Sequence, residues 1–199
     1  MIEEYADLAS RILAAPPSLG GTRLVAVDGP SGSGKSWFAD RLAATLPGVV
    51  PVVHTDDLLD GWDDQLTFWD RLREQVLDPI EAGRTGRYRS YDWHRGRFGD
   101  EWHTVPPAPV VILEGMSSAR AAARPRLALA VFVTAPTEVR RRRALGRDGE
   151  RLRPYLETWW RGEERHFAAD ATAQHADLLV DGAAEVPYDK ATQYVRLDR

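Results

Sequence analysis

The segment that most constrains this chain is Arg23–Ser36, where the short apolar run RLVAVD passes without a break into GPSGSGKS. Apolar residues closed by a glycine-rich turn read as a buried strand. Beyond the turn, Phe38, Leu42 and Leu46 recur at helical spacing until Pro47-Gly48 stops them. Gly29, Gly34, Lys35 and Ser36 satisfy the spacing GxxxxGK[ST], in the strand-before, helix-after context that gives this pattern its meaning.

The chemistry of such a turn follows from its glycines. Without Cβ atoms at Gly29, Gly32 and Gly34, backbone N–H groups around Ser31, Ser33 and Gly34 can converge on phosphate oxygens. The helix that follows adds its positive N-terminal end. Lys35, one of only two lysines with Lys190, is expected to bridge the β- and γ-phosphates. The Ser36 hydroxyl is expected to ligate magnesium. The implied cofactors are therefore ATP, or another nucleoside triphosphate, and Mg2+. Trp37 belongs to the same cradle but brings no hydroxyl to the α-phosphate, so the pocket is expected to be reshaped there.

The remaining pattern alternates strands and helices. Residues 2–14 read as an amphipathic helix, Val49–His54 as a strand that Pro51 pushes to a sheet edge, and 66–82 as a helix with Pro79 disturbing its last turn. Apolar runs at 110–113, 127–133 and 177–180 predict three more strands, with helices over 137–147 and 150–173. The expectation is an α/β, three-layer P-loop NTPase fold: a five-stranded parallel sheet flanked by helices. It would form a single domain over 1–199, with the core at about 20–182 and a small arginine-bearing lid at about 137–153. Residues 83–109 read as an irregular excursion, and 183–199 yield no assignment.

A net charge of -4 and a pI of about 5.8 argue against a nucleic-acid partner, which would need a basic surface. With no cysteine, disulfides, thiolate catalysis and zinc clusters are excluded. No apolar run approaches the roughly 20 residues that span a bilayer, and the acidic start is unlike a signal peptide. The expected partner is a small molecule, without a membrane, and the expected address is the cytoplasm.

In an open α/β sheet, ligands bind outside the carboxyl ends of the strands. His54-Thr55-Asp56-Asp57 ends one strand and Glu114-Gly115 another, so both should face the glycine-rich turn. A carboxylate there can take the proton of an acceptor hydroxyl, the role expected of Asp56. Glu114 is expected to hold magnesium with Ser36. Trp62, Trp69, Trp93 and Trp102 lie between these strands, where an aromatic wall can stack on a ring. Trp159 and Trp160 read as packing. Of the run Arg140–Arg143, at most two residues can face one ligand.

The order of these pieces resembles the uridine kinase and phosphoribulokinase group of P-loop kinases, from about Val25 to Gly182. The matching stretches are Asp56-Asp57-Leu58-Leu59, Tyr91-Asp92-Trp93, VVILEG at 110–115, Phe132-Val133, the arginine helix closing in Arg147-Asp148, and Ala176-Asp177. The resemblance implies Asp56 as catalytic base and Lys35, Arg143 and Arg147 around the transferred phosphate. It places the acceptor among Asp57, Asp63, Tyr91, Trp93, His94 and Arg95. The Asp-His-Pro-Asp stretch with which uridine kinases grip ribose is missing, Asp63-Asp64 being only a loose stand-in, and the lid lacks the Arg-Gly-Arg extension.

Three readings follow. The first is an ATP-dependent kinase acting on a hydroxyl of a nucleoside or similar compound. The second is a nucleotide or other small-molecule kinase, which for a phosphorylated acceptor would recruit arginines such as Arg84, Arg87, Arg89, Arg95 and Arg97. The third is a regulatory protein that binds ATP without transferring it.

Overall fold

The computed structural model describes residues 1–198. Its centre is a five-stranded parallel sheet in the order β10-β9-β2-β8-β3. These strands are β2 (Arg23–Asp28), β3 (Val52–His54), β8 (Val110–Glu114), β9 (Leu129–Thr134) and β10 (Leu178–Asp181). The apolar runs decide the order: β2 and β8, buried almost throughout, take interior positions, and the short β3 takes an edge. Pro51 sits just outside β3 and offers its carbonyl, bonded by the Ile112 N–H at 2.9 Å.

Side-chain alternation along β2 sends Val25 and Val27 to one face and Leu24 to the other. On the first face, α1 (Tyr5–Ala14) and α2 (Lys35–Thr45) bury Leu8, Ile12, Phe38 and Leu42. On the second, α3 (Trp69–Leu72), α4 (Asp78–Glu81) and α6 (Arg153–Asp170) cover Val111 and Leu113 with Phe68, Leu72, Ile80 and Trp160. Helices on both faces of a parallel sheet are the layering the alternation predicted.

Four details differ from the sequence expectation. Residues 2–4 do not open the first helix; they form β1 (Ile2–Glu4), antiparallel to β11 (Gln193–Val195) from the unassigned tail. Packing decides this, because Tyr194 meets the rings of Tyr5 and Phe38 at 5.3 and 5.4 Å and donates to Glu3 at 2.6 Å. The expected helix over 66–82 begins at Trp69 and carries a π-helical turn, Arg73–Leu77, between α3 and α4. Pro79 has no N–H for the carbonyl four residues before it, and the ladder widens ahead of it. The stretch 83–109 is not irregular: β4 (Gly86–Tyr88) pairs with β7 (His103–Val105), enclosing a second ribbon of β5 (Tyr91–Asp92) and β6 (Arg97–Phe98). The long helix over 150–173 is divided into a 3-10 turn, α6 and α7 (Thr172–His175), with Ala171 in the left-handed region between the last two.

Candidate active site

The glycine-rich turn leaves β2 and is wedged between Val133 and Gly182. A Cβ on Gly29 would fall 2.0 Å from the Val133 carbonyl oxygen, and one on Gly182 would fall 1.8 Å from that of Ser33. Lys35 opens α2 and its ammonium donates back to the Pro30 carbonyl at 3.2 Å. Beneath the turn, the buried Asp28 accepts N–H bonds from Gly29 (2.6 Å), Ser117 (2.9 Å) and Ala119 (2.8 Å). Asp28 thereby staples the turn to the loop after β8. Burial pushes its carboxyl up to about 7 against those donors and Lys35.

The tips of β3 and β8 close on the same point. Glu114 is buried and accepts from Ser36 Oγ at 3.1 Å with one oxygen and from His54 Nδ1 at 2.6 Å with the other. Burial alone would raise its carboxyl, but the His54 bond, Lys35 and Ser36 hold it below the ordinary carboxylate value. His54 is raised in turn, chiefly by that same bond. Asp56 sits in the 3-10 turn Thr55–Leu58 that follows β3. Surrounding protein and the Glu114 charge raise its carboxyl, against Lys35 and Arg147; its side chain opens on the cleft, so solvent tempers the push.

From the other side, α5 (Thr137–Asp148) brings two arginines one turn apart. Arg143 donates to the carbonyls of Gly32 (3.2 Å) and Gly182 (3.0 Å). Arg147 reaches the cleft while paired with both oxygens of Asp148. Arg140 is tied to Ala135 and Thr137, and Arg141 to Glu164 and the face of Trp160.

Three cavities share walls along this arrangement. The central one, about 180 Å3, is formed by Gly32, Gly34, Lys35, Ser36, Arg143 and Arg147. On one side a cavity of about 370 Å3 shares Gly34, Trp37 and Arg143 with it and is closed by Tyr188, Lys190 and Asp181. On the other, a cavity of about 360 Å3 shares Arg147 and is walled by Ser31, Asp56, Trp62, Trp93, His94 and Trp159. A larger hollow of about 570 Å3 lies behind Trp62 and Trp159 and touches none of the phosphate-loop residues.

Trp93 and His94 thus meet Asp56 in one cavity, whereas Tyr91, Asp57, Asp63 and Arg95 stand outside its wall. Tyr91 backs the Trp93 ring at 5.1 Å, Asp57 faces the Tyr88 hydroxyl at 3.3 Å, Arg95 pairs with Asp92 at 3.4 Å, and Asp63 borders the larger hollow. Arg87 and Arg89 lie over Trp102, away from the cleft. Gly182, Tyr188 and Lys190 were not singled out from sequence, nor was Asp28, although it directly precedes Gly29. Glu163, buried on α6, accepts the Ser31 N–H at 2.7 Å; its only sequence signal is its position four residues after Trp159.

Magnesium binds through few protein groups, the rest of its shell being water and phosphate. A Ser36 hydroxyl 3.1 Å from a carboxylate held in its ionised form is a hard oxygen pair of that kind. No cluster of three or more acidic or histidine ligands exists among the described residues, so a cation here needs phosphate oxygens to complete its shell. No helix among them is long and apolar enough to cross a membrane.

No family model matches the chain. It is 36% identical over 123 residues to the inorganic pyrophosphatase TTM2 of Arabidopsis thaliana, across 57% of this chain and 18% of that protein. The chain spans under a fifth of the length of the two Arabidopsis pyrophosphatases it matches. It is 25% identical over 178 residues to the uridine kinase of Borrelia hermsii, covering 79% of this chain and 85% of that one. The solved structure of a possible uridine kinase from Bacillus stearothermophilus superposes with a TM-score of 0.66 at 20% identity, over 88% of this chain and 96% of that one. With its parallel sheet, glycine-rich turn and flanking helices, the chain has the fold of the uridine kinase-like P-loop kinases.

Proposed function

We propose that the chain is a Mg2+- and ATP-dependent kinase that transfers the γ-phosphate to a hydroxyl of an uncharged, ring-bearing small molecule of the nucleoside type. The observation that carries this is the row of three cavities: one beside Trp37 and Tyr188 suited to the nucleoside of ATP, the cradle for its phosphates, and an aromatic cavity with Asp56 at the far end. A triphosphate lying along that row has its terminal phosphorus at the mouth of the aromatic cavity.

In the reaction, the acceptor oxygen attacks the γ-phosphorus, the bond from that phosphorus to the β-bridging oxygen breaks, and the hydroxyl proton passes to Asp56. The raised carboxyl of Asp56 favours proton uptake. Lys35 and Arg147 carry positive charge to oxygens whose charge redistributes in transfer. Magnesium, when bound, neutralises the β- and γ-oxygens. Ser36 and Glu114 are the groups that would hold it.

The acceptor cavity favours the first substrate class over phosphorylated ones. Its one lining guanidinium, Arg147, is already committed to the transferred phosphate, whereas a phosphorylated acceptor calls for a further, bidentate arginine of its own. Trp62, Trp93 and Trp159 supply flat apolar walls instead.

The test is ATP consumption with magnesium against a panel of nucleosides and sugars. At least one hydroxyl compound should accelerate it, and Asp56→Asn should lower kcat by about 10²–10⁴-fold with ADP affinity unchanged. A silent Asp56→Asn with tight, unproductive ATP binding would favour the regulatory alternative. Acceptor-independent hydrolysis of ATP or pyrophosphate would replace the kinase reading altogether.

A further inference from the structure

The acceptor-side end of the phosphate loop is held by a buried carboxylate, Glu163, to which the proposed reaction gives no part. Glu163 is 1% exposed, yet a single one of its oxygens, Oε1, takes three donors. These are the Ser31 N–H at 2.7 Å, the Ser31 hydroxyl, and the Trp159 indole N–H at 2.9 Å. The indole N–H also lies 3.0 Å from Ser31 Oγ, so the three residues form a closed ring of hydrogen bonds. No cation pairs with Glu163 among the described residues, and its second oxygen, Oε2, has no partner. Arg140 reaches Glu163 only through space, and an acidic side chain buried with no cation in direct contact is costly unless every donor around it is well placed. An apolar residue would fill the same space more cheaply, so the arrangement points to a task beyond filling.

Geometry suggests that task. Ser31 is the loop residue that lines the aromatic cavity, and Trp159 is the wall of that same cavity. The Ser31 N–H, engaged by Glu163, is withdrawn from the phosphates, leaving the cradle to the amides that follow it. Trp159 is itself fixed from behind: its carbonyl accepts from the buried Gln65 at 3.1 Å, and its ring meets Trp62 edge-on at 5.9 Å. At Gly162 a Cβ would fall 1.9 Å from the Gln65 amide oxygen, so α6 cannot slide at this level without moving Gln65. Whatever presses on the Trp159 ring therefore acts on Ser31 both directly, through the indole N–H, and through the shared carboxylate oxygen.

We propose that Glu163 and Trp159 are positioning residues: their shared hydrogen bonds set Ser31, and so the terminal-phosphate end of the loop, according to what fills the aromatic cavity. The proposal rests on the kinase reading for the identity of the two ligands. It predicts that the pair acts as a unit and on transfer more than on nucleotide binding. Trp159→Phe keeps an aromatic ring on the cavity wall while removing the donor together with part of the indole surface, so melting temperature is read beside kcat to separate lost packing from the lost bond. Glu163→Gln keeps an acceptor oxygen in an isosteric side chain.

The experiment measures kcat and acceptor KM with whichever ribonucleoside the wild type turns over, the affinities for Mg·ADP and Mg·AMPPNP by calorimetry, and melting temperature. Each single variant should lose about tenfold in kcat, the scale of one hydrogen bond at a buried site. Mg·ADP affinity should stay within twofold, and the double variant should fall no further than the worse single, because one unit is being broken. Wild-type kcat in Trp159→Phe, losses that multiply to about a hundredfold in the double variant, or Mg·ADP affinity falling in step with kcat would each overturn the proposal. If the wild type phosphorylates no acceptor, the kinase reading fails separately. The positioning role is then judged on Trp159→Phe alone: a loss of threefold or more confined to Mg·AMPPNP retains it, and equal affinities remove it.

Discussion

Gly32 is the residue through which the phosphate loop touches the arginine helix, and replacing it by alanine should uncouple them. Gly32 has φ +75°, and a Cβ built there would lie 2.3 Å from the Arg140 carbonyl oxygen. Contacts under 3.0 Å are essentially never seen for Cβ atoms, so loop and helix must part by about 0.7 Å at least. The neighbour is backbone, held by the first turn of α5, and cannot rotate away. An alanine in the left-handed region costs about 1–2 kcal/mol in addition, which for a chain of this size lowers the melting temperature by roughly 2–8 °C. The larger effect falls on function, because Arg143 donates to the Gly32 carbonyl at 3.2 Å and must follow it. Displacements approaching 1 Å at a reacting centre cost up to about a hundredfold. The assay is thermal melting beside steady-state ATP turnover, with Gly146→Ala as control: its Cβ meets nothing within 4 Å, and it should gain about 0.5–1 kcal/mol as an in-helix replacement. Gly32→Ala that melts and turns over like the wild type would refute the coupling.

Three further outcomes are expected. Asp28, with its folded pKa near 7 against an ordinary 3.8, holds a proton that the unfolded chain releases between those values. The stability that Asp28 contributes should therefore be fully present below about pH 4 and be lost toward pH 7 by up to about 1.4 kcal/mol per unit; in urea titrations the difference between wild type and Asp28→Asn should fall from about pH 5 to about pH 8. Trp93→Ala should raise acceptor KM by about tenfold or more, the scale of a lost stacking surface, and leave ATP KM alone; equal effects on both would place Trp93 outside the acceptor site. Tyr194→Ala removes a ring that joins Tyr5 and Phe38, and denaturation should show a loss of about 3 kcal/mol.

What could be read ahead of the structure was what depends on neighbours in the chain. The strand at Arg23–Asp28, its turn and α2 carry their own apolar period and punctuation, and the edge position of β3 was written in Pro51. The antiparallel pair of β1 and β11 was not legible, because residues 2–4 also fit a helical period and their partner lies far along the chain. The ribbons within 83–109 were hidden by their short strands and by arginines and glycines that carry no alternation. For the site, the convergence of Asp56 and Glu114 on Lys35 followed from the rule for strand tips. Glu163 did not, because a carboxylate on a charged helix looks like any solvent-facing one until Trp159 turns that face inward.

The strand order also divides labour across the sheet. Groups set to grip a nucleotide hang from the centre and one flank, β2, β9 and β10, while Asp56 and Trp62 follow β3, Trp93 and His94 come from the ribbons inserted before β8, and Trp159 comes from α6. A boundary of that kind makes the inserted ribbons separable from the glycine-rich turn: on the kinase reading, exchanging residues 83–109 would replace the Trp93 and His94 side of the aromatic cavity and leave Lys35 and Ser36 where they are.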